Sequence, residues 1–372
     1  MNKIKVLIAT GIFPPQVGGP ATYSKLLLEE LPKRGLKVRV ENFGDVLKYP
    51  KVFRHTIYFC RIIVSGMSAD VIYAMDPVST GLPALLAAKV LRKKFYLKIV
   101  GDYAWEQGSQ RFGVTDLLDE FSLQKDKYSI FVRIFKEIQF FVAERADKIL
   151  VPSNYLKKIV SNWGIHEDKI TVVYNAFKEP NVQLTKTELR KTLGYKNKVI
   201  ISAGRLVPWK GFDTLIEILP SMREEIGEIT LYIAGSGPDH EKLEKKIFET
   251  KSENSVILLG KVEQAELFKL IKAADLFVLN TSYEGLSHQI LEVMSLGTPL
   301  ITTKAGGNFE TIDTEKNGIL VEYNDREALK KWIKELLVNK KYALNLAQEA
   351  KKKLKIFNEE RMLEEVTRFL RG

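Results

Sequence analysis

Residues 276–303 read LFVLNTSYEGLSHQILEVMSLGTPLITT, and this stretch decides the fold. An apolar run from Leu276 to Asn280 gives way to a turn around Gly285, then to a helix-period segment closed by Gly297, and Pro299 to Thr303 starts a second apolar run. Strand, helix and strand in that order form a βαβ unit. Near-continuous apolar strands imply a parallel sheet buried on both faces, with helices covering it.

The same rhythm extends in both directions. Upstream in this half, strand-like runs occur at Lys198 to Ala203, Ile229 to Ala234 and Val256 to Leu259, and downstream at Gly318 to Glu322. An earlier set runs through Lys5 to Thr10, Lys37 to Phe43, Asp70 to Met75, Phe95 to Val100, Lys148 to Ser153 and Ile170 to Tyr174, with helical segments such as Thr22 to Lys33 and Phe131 to Arg145 between them. Residues 178–187, KEPNVQLTKT, interrupt the pattern and read as a linker. The expected fold class is therefore α/β, with two doubly wound Rossmann-like domains at 1–178 and 179–354. A helical tail, 355–372, is expected to return to the first domain. Two such sheets facing one another form a cleft at the carboxyl ends of their strands.

Length agrees, since 372 residues exceed what one hydrophobic core usually holds. Hydrophobic residues at 45% and charged residues at 28% exclude a disordered chain. The single cysteine, Cys60, forbids an intrachain disulfide, and the four histidines lack zinc-ligand spacing. No apolar run reaches membrane-spanning length and no leader pattern precedes Val6, which gives the expectation of a cytoplasmic protein.

Charge is lopsided. Residues 1–100 hold 16 Lys and Arg against 6 Asp and Glu, whereas residues 181–372 hold 30 against 28. A basic first half favours an anionic partner, which leaves nucleic acid, acidic lipid headgroups and a phosphorylated substrate as candidates. Lys48 to Arg61, Leu85 to Lys98 and Tyr128 to Lys148 mix bases with bulky apolar residues. They read either as a surface for the inner face of an anionic membrane or as core residues with a solvated rim.

Three loops carry candidate chemistry. After the first strand, Gly18 and Gly19 precede a helix and allow close backbone approach of an anion, or simply form a tight turn. The spacing is not that of a nicotinamide site. After the first strand of the second half, Gly204, Arg205 and Lys210 place two cations on a loop that can clamp a diphosphate or lie in solvent. Finally, Glu284 lies in the turn of the opening stretch and Glu292 eight residues on, inside its helix. The amides of Leu286, Ser287 and His288 open that helix toward an anion, and His288 reads as a binding residue more than a catalytic one.

The combination of GGP after the first strand, AGRLVPWKGFDTLI, YIAGSGP, LLGKV and SYEGLSHQILEVMSLGTPLITTKAGG resembles the retaining glycosyltransferases of family 4, which have the GT-B fold. The likeness is dense from Asn175 to Tyr323 and thinner before it. It implies transfer of a sugar from a nucleoside diphosphate, UDP or GDP, to a glycan or lipid-linked acceptor with retention, without metal or other cofactor. The sequence has no Asp-x-Asp element. By the same resemblance Arg205 and Lys210 would neutralise the diphosphate, Glu292 would accept the ribose hydroxyls and Glu284 those of the sugar. Gly285, Leu286, Ser287 and His288 would line the donor, Val262 would belong to the loop whose backbone reads the base, and Gly18 and Gly19 would lie near diphosphate and acceptor. The family's usual histidine after the fourth strand is replaced by Gly101, and Asp102 either substitutes for it or caps a helix. A nucleotide-sugar epimerase or hydrolase of the same fold, and a basic nucleic-acid-binding protein, are the rival readings. No nucleic acid is expected, because such a partner leaves Glu284 and Glu292 without a purpose.

Overall fold

Apolar segments short enough to cross a sheet once become its strands, and all twelve runs found in the sequence do so. The computed structural model describes residues 3–16, 18–124, 126–177 and 179–372. Lys178, which ends the first expected domain and opens the expected linker, lies outside the described residues. The chain divides into two units, 1–174 with 360–372, and 175–359.

The first unit holds strands β1 (Lys5–Thr10), β2 (Lys37–Asn42), β3 (Val71–Ala74), β4 (Lys94–Lys98), β5 (Lys148–Val151) and β6 (Ile170–Val172). Its helices are α1 (Gly19–Glu30), α2 (Lys51–Gly66), α3 (Gly81–Leu91), α4 (Tyr103–Arg111), α5 (Leu118–Leu123), α6 (Ile130–Glu144) and α7 (Asn154–Asn162). The strands form one parallel sheet in the order β2-β1-β3-β4-β5-β6. Side chains such as Leu7, Ile72, Tyr73, Phe95 and Ile149 are fully enclosed.

In the second unit, helix α8 (Lys186–Thr192) precedes β7 (Lys198–Ala203), α9 (Phe212–Ile226), β8 (Ile229–Ala234), α10 (His240–Glu249) and β9 (Val256–Gly260). Then come α11 (Gln264–Ala273), β10 (Leu276–Leu279), α12 (His288–Leu296), β11 (Leu300–Thr303), α13 (Asn308–Thr311), β12 (Ile319–Val321), α14 (Arg326–Val338) and α15 (Lys340–Lys353). The parallel sheet runs β12-β11-β10-β7-β8-β9 over a core that includes Ile216, Leu276, Ile301 and Ile333. The last helix, α16 (Glu359–Arg371), belongs to the first unit, where Phe369 packs 5.2 Å from the Tyr96 ring.

The linker reading needs one correction. Its last residues open α8: Thr185 caps the helix through the amide of Glu188, whose carboxylate returns to the Thr185 amide at 2.8 Å. This Thr-x-x-Glu box supplies two helix-start donors with partners and so extends the second unit back to its first turn.

In each sheet the chain reverses its direction of travel at one place. The switch lies between β1 and β3 in the first unit and between β7 and β10 in the second, and ligands of open α/β sheets bind beyond the strand ends there.

Candidate functional site

In the second unit the loops after β7 and β10 emerge side by side, because those strands are hydrogen-bonded neighbours. Backbone and side chains then tie the loops together. Ser282 donates its amide to the Trp209 carbonyl at 2.8 Å, and the enclosed Asn280 donates through Nδ2 to Gly211 O at 3.0 Å and Asn324 Oδ1 at 2.7 Å. Gly211 must be glycine, since its φ is 50° and a Cβ there would lie 2.3 Å from Asn280 Nδ2. Across this junction Lys210 and Glu284 form an ion pair with both side chains largely buried. A cation from one loop and a carboxylate from the other thus meet at the switch point.

The remaining loops close on this pair. A Cβ on Gly235, after β8, would sit 1.8 Å from Gly204 O, so backbone stacks directly on backbone, and Gly235 N donates to Gly260 O at 2.8 Å. Gly307 N donates to the Glu284 carbonyl at 2.8 Å, and a Cβ on Gly307 would meet Gly285 O at 2.2 Å. Arg205 stands exposed on its loop between Gly204 and the buried Leu206. Ser287 caps α12 by accepting the Ile290 amide, and the exposed His288 is the first helical residue. The positive end of the α12 dipole therefore opens beside the Glu284 turn, flanked by the buried Gly285 and Leu286.

Glu292 lies farther along α12. Gln264, at the start of the adjacent α11, donates through Nε2 to Glu292 Oε1 at 3.0 Å. Burial pushes the Glu292 carboxyl up to about 7, with the Gln264 bond opposing only part of that. The hydrogen bond joins α12 to the first residue of α11, two positions after the half-buried Val262. Sequence reasoning missed Gln264, Asn280, Asn324 and Gly307; of these only the Gly306-Gly307 pair gave a signal.

Gly18, Gly19 and Asp102 belong to the first unit. Gly18 takes the N-cap position of α1 without a side-chain cap, and Gly19 faces open space on its Cβ side. Asp102, after β4, is completely enclosed. Its Oδ1 accepts from the Trp105 amide at 2.9 Å and from Gln139 Nε2 at 3.1 Å, and its Oδ2 accepts from Trp163 Nε1 at 3.1 Å. Burial raises its pKa against those bonds. Of the two readings the sequence left open, the helix cap is the one this geometry describes, the Asp102 carboxylate holding the start of α4.

Among the described residues no group of acidic, histidine or cysteine side chains could hold a metal ion, and no helix is long and apolar enough to cross a membrane.

Comparison with known proteins gives consistent relatives. Residues 17–178 match the family described as Glycosyltransferase Family 4, and residues 185–353 match Glycosyl transferases group 1. An uncharacterised glycosyltransferase of Methanocaldococcus jannaschii is 26% identical over 91% of each chain. The GDP-mannose-dependent alpha-(1-6)-phosphatidylinositol monomannoside mannosyltransferase of Mycobacterium tuberculosis is 32% identical over 43% of each. Among solved structures, Anabaena HepE in complex with UDP-glucose superposes with a TM-score of 0.77 over 99% of both chains at 19% identity.

Proposed function

The chain belongs to the family 4 glycosyltransferases, and from that premise we propose that it moves a sugar from a UDP- or GDP-sugar to a glycan or lipid-linked acceptor, retaining the anomeric configuration and using no metal. The observation that carries this reading is the Lys210 and Glu284 pair at the switch point, beside the N-terminus of α12.

Breaking a sugar–diphosphate bond builds negative charge on the leaving oxygen. Arg205, Lys210 and the α12 amides stabilise that charge as it grows, which is what lowers a barrier. Lys210 exchanges its carboxylate partner for phosphate oxygens when donor enters, and Glu284 turns to the hydroxyls of the sugar. Glu292 takes the ribose and the backbone around Val262 takes the base, while Gly18 and Gly19 leave the backbone at the start of α1 open to close approach by a substrate oxygen. The acceptor oxygen attacks the anomeric carbon on the face the diphosphate leaves, and its proton passes to the departing phosphate oxygen. Double displacement would instead need a carboxylate nucleophile paired with an acid, and the residues assigned here leave no carboxylate for that role.

The relatives named above, one GDP-mannose-dependent and one bound to UDP-glucose, support the choice of donors. A thermal-shift panel of nucleotide sugars tests the proposal first, since a specific ligand stabilises by mass action without its acceptor. The expected result is a rise with one UDP- or GDP-sugar and a product of unchanged anomeric configuration, insensitive to chelator. No stabilisation by any of them, an inverted product or a chelator-sensitive turnover would refute it.

A further inference from the structure

Helices that cover a sheet normally turn charged residues to water. In the first unit α2 and α3 also turn a run of large apolar residues outward. They pack side by side on one face of the sheet, with Gly66 allowing the approach, as its Cβ would lie 2.9 Å from Leu91 Cδ1. The outward positions of α2 are Phe53, Thr56, Cys60, Val64 and Met67, three or four residues apart over four turns. On α3 they are Leu86 and Val90 beside Lys89. Phe53, Val64, Met67, Leu86 and Val90 are each between 44 and 66% exposed. A shallow groove of about 400 Å³ runs along the stripe, lined by Ile57, Cys60 and Val64 and bounded by the Glu41 and Arg61 pair.

The charge of this region is mostly positive, with Glu41 and Asp45 at its edge taken up by Arg61. Residues 46–69 and 77–101 contain nine Lys and Arg and no Asp or Glu. Lys98 among them is buried, and Arg61 is paired with Glu41 and Asp45, while Lys89 and Arg92 stand exposed next to the α3 stripe, with Lys93 half-buried beside them. The third basic stretch of the sequence does not share this character. On α6 and the residues after it, Glu137, Glu144 and Asp147 offset Arg133, Lys136, Arg145 and Lys148, and Arg145 is paired with Glu144.

We propose that the outward face of α2 and α3 docks on an anionic lipid bilayer, the apolar stripe entering the headgroup boundary and Lys89, Arg92 and Lys93 meeting the phosphates. Apolar burial and attraction to acidic lipid add for such a surface, and neither alone holds a protein stably. The inference builds on the proposed function in one respect, for it brings the enzyme to where a lipid-linked acceptor resides.

The sequence supplies its own probe, because Cys60 is the only cysteine, is exposed and lies mid-stripe. An environment-sensitive fluorophore attached there is expected to shift to the blue on vesicles of phosphatidylglycerol and phosphatidylcholine at low salt. Phosphatidylcholine alone should leave it in water, and about 1 M salt, which shortens screening to roughly 3 Å, should release it. Each basic residue near such a surface is worth about fivefold in partitioning, so Lys89→Gln, Arg92→Gln and Lys93→Gln together should weaken it about a hundredfold. Val64→Ser with Val90→Ser should abolish the blue shift while melting as the parent does. No shift on acidic vesicles, or partitioning that ignores the charge variants, would overturn the proposal. A lipid-free blue shift that grows with protein concentration would assign the face to a second copy and overturn it too. Nucleotide binding by the labelled protein is measured separately, so loss of docking with binding intact leaves the donor site standing.

Discussion

The two units share a fold and spend their charges differently. At the switch point of the second, Lys210 and Glu284 meet each other with side chains still partly accessible. At the switch point of the first stands Asp76, wholly committed. Its carboxylate accepts from the amides of Val78, Ser79 and Thr80 and from the Thr80 hydroxyl at 2.7 Å, and burial still raises its pKa. Asp102 is fully enclosed, where Asp76 is half-buried. Asp76 and Asp102 hold loops in shape, whereas Glu284 at the second unit's switch is paired with a lysine across two loops. Their surfaces diverge in the opposite sense. Among the described residues, fourteen large apolar side chains are exposed in the first unit and seven in the second. The outer helices of the second are laced instead by pairs such as Lys246 with Glu217 and Lys334 with Glu225.

Lys210→Ala is the sharpest test of this contrast. Removing one preset donor to a developing oxyanion costs about 3 to 4 kcal/mol, so turnover of donor should fall roughly a hundred- to thousandfold with little change in melting temperature. A variant that keeps parental turnover would break the assignment of chemistry to the second unit.

Asp102→Ala should behave in reverse. It removes a cap and leaves Gln139 and Trp163 donors buried without an acceptor, a loss of roughly 2 to 4 kcal/mol on denaturant unfolding. Nucleotide affinity of the folded protein should stay as it was. Lost turnover at undiminished stability would place Asp102 in the reaction.

The smallest effect concerns Glu292. Its carboxyl is raised from 4.5 to about 7, so between those values the folded chain holds a proton that the unfolded chain has lost. Stability contributed at this position therefore declines as pH rises through that window, and Glu292→Gln should flatten the decline. Ribose hydroxyls donate to the ionised form, which makes nucleotide binding release a proton. Affinity should climb by at most tenfold per pH unit up to about 7 and then level. Titration calorimetry in buffers of different ionisation enthalpy reads that proton directly, and a Glu292→Gln variant with the same slope would contradict it.

Much of this was legible in the chain. Parallel strands are buried on both faces, so runs such as Leu276 to Leu279 and Ile229 to Ala234 announce themselves without a partner. The Glu284 to Glu292 element was readable because a turn and a helix start fix where both carboxylates sit. Thr185 and Glu188 spelled a capping box that the polar run around them obscured. Asp102 could not be resolved, since a cap and a ligand-binding group demand the same residue type and differ only in burial. Gln264 was invisible: its role depends on α11 lying against α12, and a lone glutamine at a helix start has no signature. The outward stripe of α2 stood in the sequence as apolar residues, but which face they occupied required the sheet beneath.

Helix α16 carries a consequence for how the protein is made. The seat for Phe369, between Tyr73 at 6.0 Å and Tyr96 at 5.2 Å, is built from β3 and β4 and filled by a helix that follows the whole second unit. As the chain leaves the ribosome, the second unit is fully translated before the first can shut its aromatic seat. The half begun earliest is thus completed last, and a nascent chain halted before Glu359 would present that opening to any chaperone within reach.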